Sequence, residues 1–166
     1  MLPRVHYRLA FCWLAILAAA VFLRFEDLAK RPIHADEATG ARITAQRMES
    51  GGTGFDPTHY HGPTQSRLAM MLCHWRGENS WREMSKGTLR ILPAIAGCLL
   101  VLLPFFWRKR IGDASALLAA ALLAGSPLLV YYSRMFIHEM LLTLFGVAAM
   151  FALIYRAPAL ITGTCI

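Results

Sequence analysis

Long apolar runs separated by short charged turns dominate the hydrophobic pattern of this chain. Three uncharged runs cover residues 9–23, 91–107 and 114–133, and a less uniform run covers 135–155. A helix needs about 20 apolar residues to cross a bilayer, and the runs reach this length if the arginines at their ends snorkel to the headgroups. The pattern therefore predicts an all-α membrane protein with transmembrane helices at 7–25, 89–107, 114–133 and 135–155.

The first run also resembles a signal peptide, because basic residues precede an apolar stretch that contains three consecutive alanines at 18–20. The apolar stretch continues to Leu23, however, which favours an uncleaved anchor.

The segment between the first two runs, residues 26–88, alternates polar and apolar residues in two places. The stretches 37–48 and 66–76 each carry an apolar stripe at helical spacing, and the second stripe is Leu68, Met71, Leu72 and Trp75. Both stretches are too short to span a bilayer, so we expect two helices that lie along the membrane surface. A turn rich in proline and glycine, 55–63, separates them.

Composition and charge support a membrane protein and indicate its orientation. The 166 residues are 57% hydrophobic and 16% charged, with a mean hydropathy of +0.46 and a net charge of +7. Most basic residues flank the apolar runs and form no basic stripe with interleaved aromatics, which excludes nucleic acid as a partner. Arg4 and Arg8, the basic cluster 108–110 and Arg156 all mark one side, so both termini should be cytoplasmic and 26–88 external. The four cysteines lack the spacing of a disulfide framework or metal site.

Two adjacent carboxylates, Asp36 and Glu37, follow the first run in the sequence "RPIHADEATGAR". Asp36 is predicted to cap the helix that follows, and Glu37 to stabilise its first turn. A capped carboxylate is oriented and kept ionised, which also suits a general base. Both carboxylates are therefore candidate catalytic residues.

A second group of ionisable residues opens the fourth run in "YYSRMFIHEMLL". In a continuous helix Arg134 and His138 would share a face, and Glu139 would lie about 7.5 Å deeper than Arg134. Ionisable residues inside a span usually face a cavity or the bundle interior, so these three are functional candidates.

The histidines of the external segment allow a metal hypothesis. His34, His59 and His61 together with Asp36 could bind zinc, but their spacing matches no known zinc motif. We predict no metal or other cofactor, with a divalent cation as the alternative.

The order of these motifs resembles that of the polytopic glycosyltransferases with the GT-C fold. The first span is followed by "HADEA", then by "HGP" before a surface helix, by "TLRILPAIAG" at the second span and by "SPLLVYYSRMFIHEMLL". This resemblance extends over residues 7–155. The family includes protein O-mannosyltransferases and lipid A aminoarabinose transferases, and the chain is most similar to the flippase-activity-associated glycosyltransferase-like proteins.

The resemblance implies a hexosyl- or pentosyltransferase of the cell membrane that uses a polyprenyl-phosphate-linked sugar donor. The acceptor would be a glycan, lipid or protein at the outer face, and membrane lipids would be further partners. Asp36, with Glu37 beside it, corresponds to the catalytic carboxylate of the family and Arg134 to the arginine that binds the donor phosphate. Glu139, His138, His34 and His61 would support the site. The alternative is a non-catalytic membrane module that assists the handling or flipping of lipid-linked sugars.

Two departures from the family accompany the resemblance. Gln65, Ser66 and Arg67 follow "HGP", where relatives carry an apolar run rich in tyrosine. Relatives are also several times longer, so we expect residues 1–166 to be a single N-terminal domain of a truncated transferase that is inactive alone.

Overall fold

The computed structural model describes residues 3–51 and 62–154, and within these ranges the chain forms seven α-helices and no strands. The helices, numbered in chain order, are α1 Pro3–Phe25, α2 Ala35–Ser50, α3 Pro63–Trp75, α4 Lys86–Ile111, α5 Asp113–Gly125, α6 Pro127–Ser133 and α7 Glu139–Ile154.

Helix α4 is the centre of the fold, because it packs against α1, α3, α5, α6 and α7. On one side, the buried alanines 116, 120 and 124 of α5 lie against Ala20 of α1 and Val101 of α4. Small residues at this four-residue spacing let membrane helices approach closely. On another side, Leu100 of α4 packs on Met140 of α7.

Two of the predicted spans are confirmed as continuous apolar helices. Tyr7–Phe25 and Lys86–Ile111 are each long and apolar enough to cross a membrane. Several large apolar side chains of α1 remain exposed, including Phe11, Leu14 and Phe22. Lipid would cover these side chains, so the helices of the structure fit a membrane protein.

The prediction of four continuous spans is not confirmed, because the third predicted span is broken. Helices α5 and α6 meet at Ser126 and are bent by 60°. By length and composition the described residues contain two candidate spans, or three if the bent pair counts as one. Pro127 explains the break, since its ring clashes with the preceding helical turn and it has no N–H to donate.

The predicted fourth span begins later than the sequence pattern indicated. Residues 134–138 are not helical, and the helix starts at Glu139. The prediction that Arg134 and His138 share a helix face, with Glu139 about 7.5 Å deeper than Arg134, is therefore wrong. Within the predicted span 135–155, the structure describes a helix of 16 residues, Glu139–Ile154.

Both helices predicted in the external segment are present as α2 and α3. Helix α3 buries its small residues Ser66, Ala69 and Cys73 against the protein. Its large residues Met71 and Trp75 are exposed, with 69% and 81% of their surface accessible. The apolar stripe of α3 is thus free to contact lipid or another partner.

The structure corrects the assumption that the arginines at the ends of the apolar runs snorkel. Arg24 at the end of α1 is 0% exposed, and Arg90 in the first turns of α4 is 1% exposed. Both side chains turn into the protein because backbone carbonyls and, for Arg90, a carboxylate surround their guanidinium groups.

Candidate functional site

The first turn of α2 places the two candidate carboxylates in different environments. The helix begins one residue before Asp36, and its N-cap is His34, whose Nδ1 accepts a hydrogen bond from the Asp36 N–H at 3.3 Å. The carboxylate of Glu37 accepts one from the His34 N–H at 3.0 Å. The prediction that Asp36 is the N-cap is therefore wrong, because this reciprocal pair of bonds caps the helix two residues earlier.

Glu37 forms a buried ion pair with Arg90 of α4, a residue 53 positions further along the chain. Arg90 Nε lies 2.7 Å from Glu37 Oε1, and one terminal nitrogen lies 2.8 Å from Oε2. The backbone N–H of Phe136 donates to Oε1 at 2.8 Å. One carboxylate thus connects α2, α4 and the non-helical segment 134–138.

Every polar atom of this ion pair has a partner. Besides the two bonds to Glu37, the guanidinium of Arg90 donates to the carbonyls of Leu28, Arg31 and Pro32 at 3.0–3.1 Å. These contacts use all five N–H groups of the arginine. Segment 28–32 is consequently wrapped around Arg90, which fixes its backbone.

The electrostatics of Glu37 follow from these contacts. Burial alone would raise the pKa of the Glu37 carboxyl, but the hydrogen bonds from Arg90 and from the N–H groups of His34 and Phe136 outweigh it and lower the pKa. Glu37 is therefore ionised and fully occupied, with no lone pair left for a substrate proton.

Asp36 differs from Glu37 in that its carboxylate is open to solvent. Its side chain is 74% exposed, and Oδ2 lies 3.3 Å from His34 Nδ1. The backbone of Asp36 is fixed because it lies in the first turn of α2, directly before the buried Glu37. Of the two adjacent carboxylates, Asp36 is the one that is accessible to a ligand.

Arg134 lines an open recess of about 500 Å³ at the C-terminal end of α1. The recess is also lined by Glu26, Asp27, Lys30, Arg31 and Pro32. Three cationic and two anionic side chains therefore surround it. The Lys30 ammonium hydrogen-bonds Asp27 and lowers the pKa of that carboxyl, so one anion is already neutralised by a neighbour.

The guanidinium of Arg134 is anchored by backbone and still has free donors. One terminal nitrogen donates to the Leu23 carbonyl at 3.1 Å and the other to the Glu26 carbonyl at 2.6 Å. Two of its five N–H groups are used in these bonds. The remaining donors are available to an oxyanion in the recess.

Asp36 and the recess lie on the same short stretch of chain. Pro32 lines the recess, and Asp36 follows four residues later. Four residues span at most about 14 Å even when fully extended. The contact between Glu37 and Phe136, two residues after Arg134, also ties the two regions together.

The other predicted site residues are less closely connected. Glu139 opens α7 with 48% of its side chain exposed, and its Oε2 lies 3.9 Å from His138 Nδ1. His59 and His61 lie outside the described residues. Among the residues that the structure does describe, no three or more potential ligands are grouped as a metal site would require.

Sequence reasoning missed Arg90 and the two cations that share the recess with Arg134. Arg90 lies in "TLRILP", inside the first turns of an apolar helix, and a charge at such a position is by default a functional or structural candidate. Lys30 and Arg31 precede Pro32 in a segment that has no helical pattern, so their sequence contained no comparable signal.

Comparison with known proteins gives a family assignment. The family model described as dolichyl-phosphate-mannose-protein mannosyltransferase matches residues 71–160, more than half of the 166-residue chain. Neither the curated proteins nor the solved structures gave a significant match. The matched range contains Arg90 in α4, the bent pair α5–α6 and Arg134. The chain therefore belongs to the dolichyl-phosphate-mannose-protein mannosyltransferase family, whose members are membrane glycosyltransferases of the GT-C type.

Proposed function

We propose that this chain contributes the donor site and the catalytic base of a glycosyltransferase that works at the outer membrane surface. The sugar comes from a polyprenyl-phosphate-linked donor and goes to a hydroxyl of a glycan, lipid or protein. The observation that carries the proposal is that an exposed carboxylate, Asp36, follows closely in the chain on a recess with three cationic side chains, Arg134 among them. The buried Glu37–Arg90 ion pair holds the segment that connects the two.

Arg134 is the residue to which we assign the donor phosphate. Arg134 lines a recess that Lys30 and Arg31 also line, and two of its five N–H groups are used in the bonds to the Leu23 and Glu26 carbonyls. When the glycosidic bond to the phosphate breaks, negative charge develops on the departing lipid phosphate. A guanidinium whose position is fixed by two backbone carbonyls stabilises that charge without having to reorganise.

Asp36 is the residue to which we assign the acceptor proton. The acceptor oxygen forms a bond to the anomeric carbon of the sugar, the bond from that carbon to the phosphate oxygen breaks, and Asp36 takes the hydroxyl proton. His34 positions the backbone of Asp36, because its Nδ1 accepts a hydrogen bond from the Asp36 N–H at 3.3 Å.

Glu37 has a positioning role in this proposal and is no longer proposed as a base. All four of its hydrogen bonds come from protein groups, so a proton transfer to it would break the ion pair with Arg90. Its contribution is to hold α2 and segment 28–32 in place. Glu139 and His138 remain proposed supporting residues at the start of α7, and His61 a proposed supporting residue outside the described part.

The experiment measures sugar transfer in membranes isolated from the native host, after its gene for this protein has been altered to encode Asp36→Asn. With a radiolabelled polyprenyl-phosphate sugar as donor, the variant should lose at least 100-fold in transfer rate, because a general base typically contributes 10² to 10⁴. Glu49→Gln, at an exposed carboxylate of the same helix, is the matched control and should transfer normally.

The same assay separates the alternative function. A non-catalytic module for lipid-linked sugars would bind the donor without needing a base. Transfer at the normal rate in the Asp36→Asn membranes, with donor binding intact, would therefore support that module and contradict our proposal.

A further inference from the structure

The break between α5 and α6 leaves backbone carbonyls of α5 without their normal partners. In an uninterrupted helix, the N–H of residue 127 would donate to the carbonyl of Leu123. Residue 127 is proline and has no N–H, and the chain bends by 60° at this point. Inside a bilayer no water can pair such a carbonyl, so a substitute donor from the protein is needed.

Arg24 of α1 supplies the substitute donors. One terminal nitrogen donates to the Leu123 carbonyl at 3.0 Å, and the other donates to the Ala124 carbonyl at 3.2 Å. It also donates to Ala20, one turn back in its own helix, at 3.3 Å. The side chain is completely buried. A cation at the C-terminal end of α5 is also favoured by the dipole of that helix.

The glycine at position 97 of α4 leaves room for the guanidinium of Arg24. A Cβ atom on Gly97 of α4 would lie 2.8 Å from Arg24 Nε and 2.6 Å from the Cβ of Ser133. Helix α6 ends at Ser133, immediately before Arg134. The cation of α1 therefore lies between the end of α5 and the end of α6.

Arg134 makes the reciprocal contact. Its guanidinium donates to the Leu23 and Glu26 carbonyls at the end of α1, while Arg24 donates to the end of α5. Arg24 of α1 thus pairs carbonyls at the end of α5, and Arg134, which follows α6, pairs carbonyls at the end of α1.

We infer that Arg24 is a positioning residue for the donor site. By pairing the carbonyls that Pro127 leaves free, it stabilises the bend that directs α6 and Arg134 towards the recess. This inference rests on the proposed function only in assigning the donor phosphate to Arg134, because the bend itself is a structural property.

The test uses Arg24→Met and a double variant that restores the missing N–H, Arg24→Met with Pro127→Ala. Arg24→Met alone should lower the melting temperature in nanodiscs by about 5 °C or more. The double variant should recover most of this loss, because a continuous helix can pair Leu123 without the arginine. Arg8→Met, at an exposed arginine of the same helix, is the control and should leave the melting temperature unchanged.

The geometry of the double variant decides between positioning and simple stabilisation. Residue 131 lies about 6 Å beyond Pro127 along α6, so straightening a 60° bend moves it by about 6 Å. Spin labels at Phe22 and Tyr131 should report a shift of this size, and binding of a polyprenyl-phosphate sugar should fall at least tenfold although the fold is stable.

Two results would overturn the inference: an unchanged melting temperature in Arg24→Met, or an unchanged label distance in the double variant. If the wild-type protein binds no lipid-phosphate sugar, the proposed function fails, while the melting temperatures and label distances still decide the role of Arg24. If the distance shifts and donor binding stays normal, Arg24 holds the bend but does not position the donor site, and the inference also fails.

Discussion

Replacement of Glu37 by glutamine should destabilise the protein far more than its small change in shape suggests. The amide has one carbonyl oxygen and one NH₂ group in place of two carboxylate oxygens. Whichever way the amide points, its NH₂ group faces two donors, either Arg90 Nε with the Phe136 N–H or the other Arg90 nitrogen with the His34 N–H. Arg90, only 1% exposed, also loses its counter-charge.

The expected loss follows from the burial of the pair. Removal of one partner from a buried ion pair costs about 3–5 kcal/mol, because an uncompensated charge is left inside the protein. Such a loss is a large part of the 5–15 kcal/mol that typically separates folded from unfolded protein. The free energy of unfolding should be measured in detergent by denaturant titration followed by far-UV circular dichroism. Glu49→Gln, an exposed position on the same helix, is the control and should stay within about 0.5 kcal/mol of wild type.

The pH dependence of the same variants provides a second check. The pKa of Glu37 is lowered in the folded protein, so its ionisation stabilises the fold above the ordinary pKa of about 4.3. That contribution is lost as the pH falls below this value towards the folded pKa. The stability difference between wild type and Glu37→Gln should therefore be constant from pH 7 to 5 and decrease in stronger acid. A Glu37→Gln protein as stable as the control at pH 7 would refute the ion-pair reasoning.

Three further predictions concern catalysis, packing and orientation. Asp36→Asn should leave the free energy of unfolding within about 0.5 kcal/mol of wild type, because the side chain is exposed, while sugar transfer is lost; a large stability loss would show that Asp36 is structural. Gly97→Ala should lower the free energy of unfolding by about 1–3 kcal/mol, because the added Cβ has no space. Gly146→Ala is the control and should not, because its Cβ would meet nothing within 4 Å. Equal melting temperatures of the two variants would contradict this prediction. In a background without native cysteines, a cysteine at Glu49 should react with an impermeant reagent from outside and one at Lys109 should not, as the positive-inside rule predicts; the reverse labelling would invert the topology.

The apolar pattern predicted the helical class and most helices of the fold because long uncharged runs leave few alternatives. It did not predict the break at Pro127 or the non-helical segment 134–138. A proline can be tolerated inside a membrane helix, as Pro93 and Pro104 are inside α4, so its effect depends on which donors are nearby. Here the donor is Arg24, about 100 positions earlier in the chain.

The candidate site was predicted in part. The sequence indicated that the stretch with Asp36 and Glu37 matters, but a local capping argument could not distinguish the exposed carboxylate from the buried one. That distinction depends on Arg90, 53 residues later, whose charge next to an apolar run resembled an ordinary membrane anchor. Pairings over such distances are set by tertiary packing, here by the buried cluster that brings Ala41 of α2, Leu89 of α4 and Phe136 together, and no local pattern specifies it.

The most direct test of the central claim is donor binding at Arg134. The dissociation constant of a short-chain polyprenyl-phosphate mannose should be measured in zwitterionic nanodiscs for wild type, Arg134→Gln and the control Arg42→Gln, an exposed cation of α2 outside the recess. We predict that wild type and the control bind equally and that Arg134→Gln binds at least tenfold more weakly, because a hydrogen bond to a charged group contributes about 1.5–3 kcal/mol. Equal binding by all three proteins, or no binding by wild type, would contradict the account.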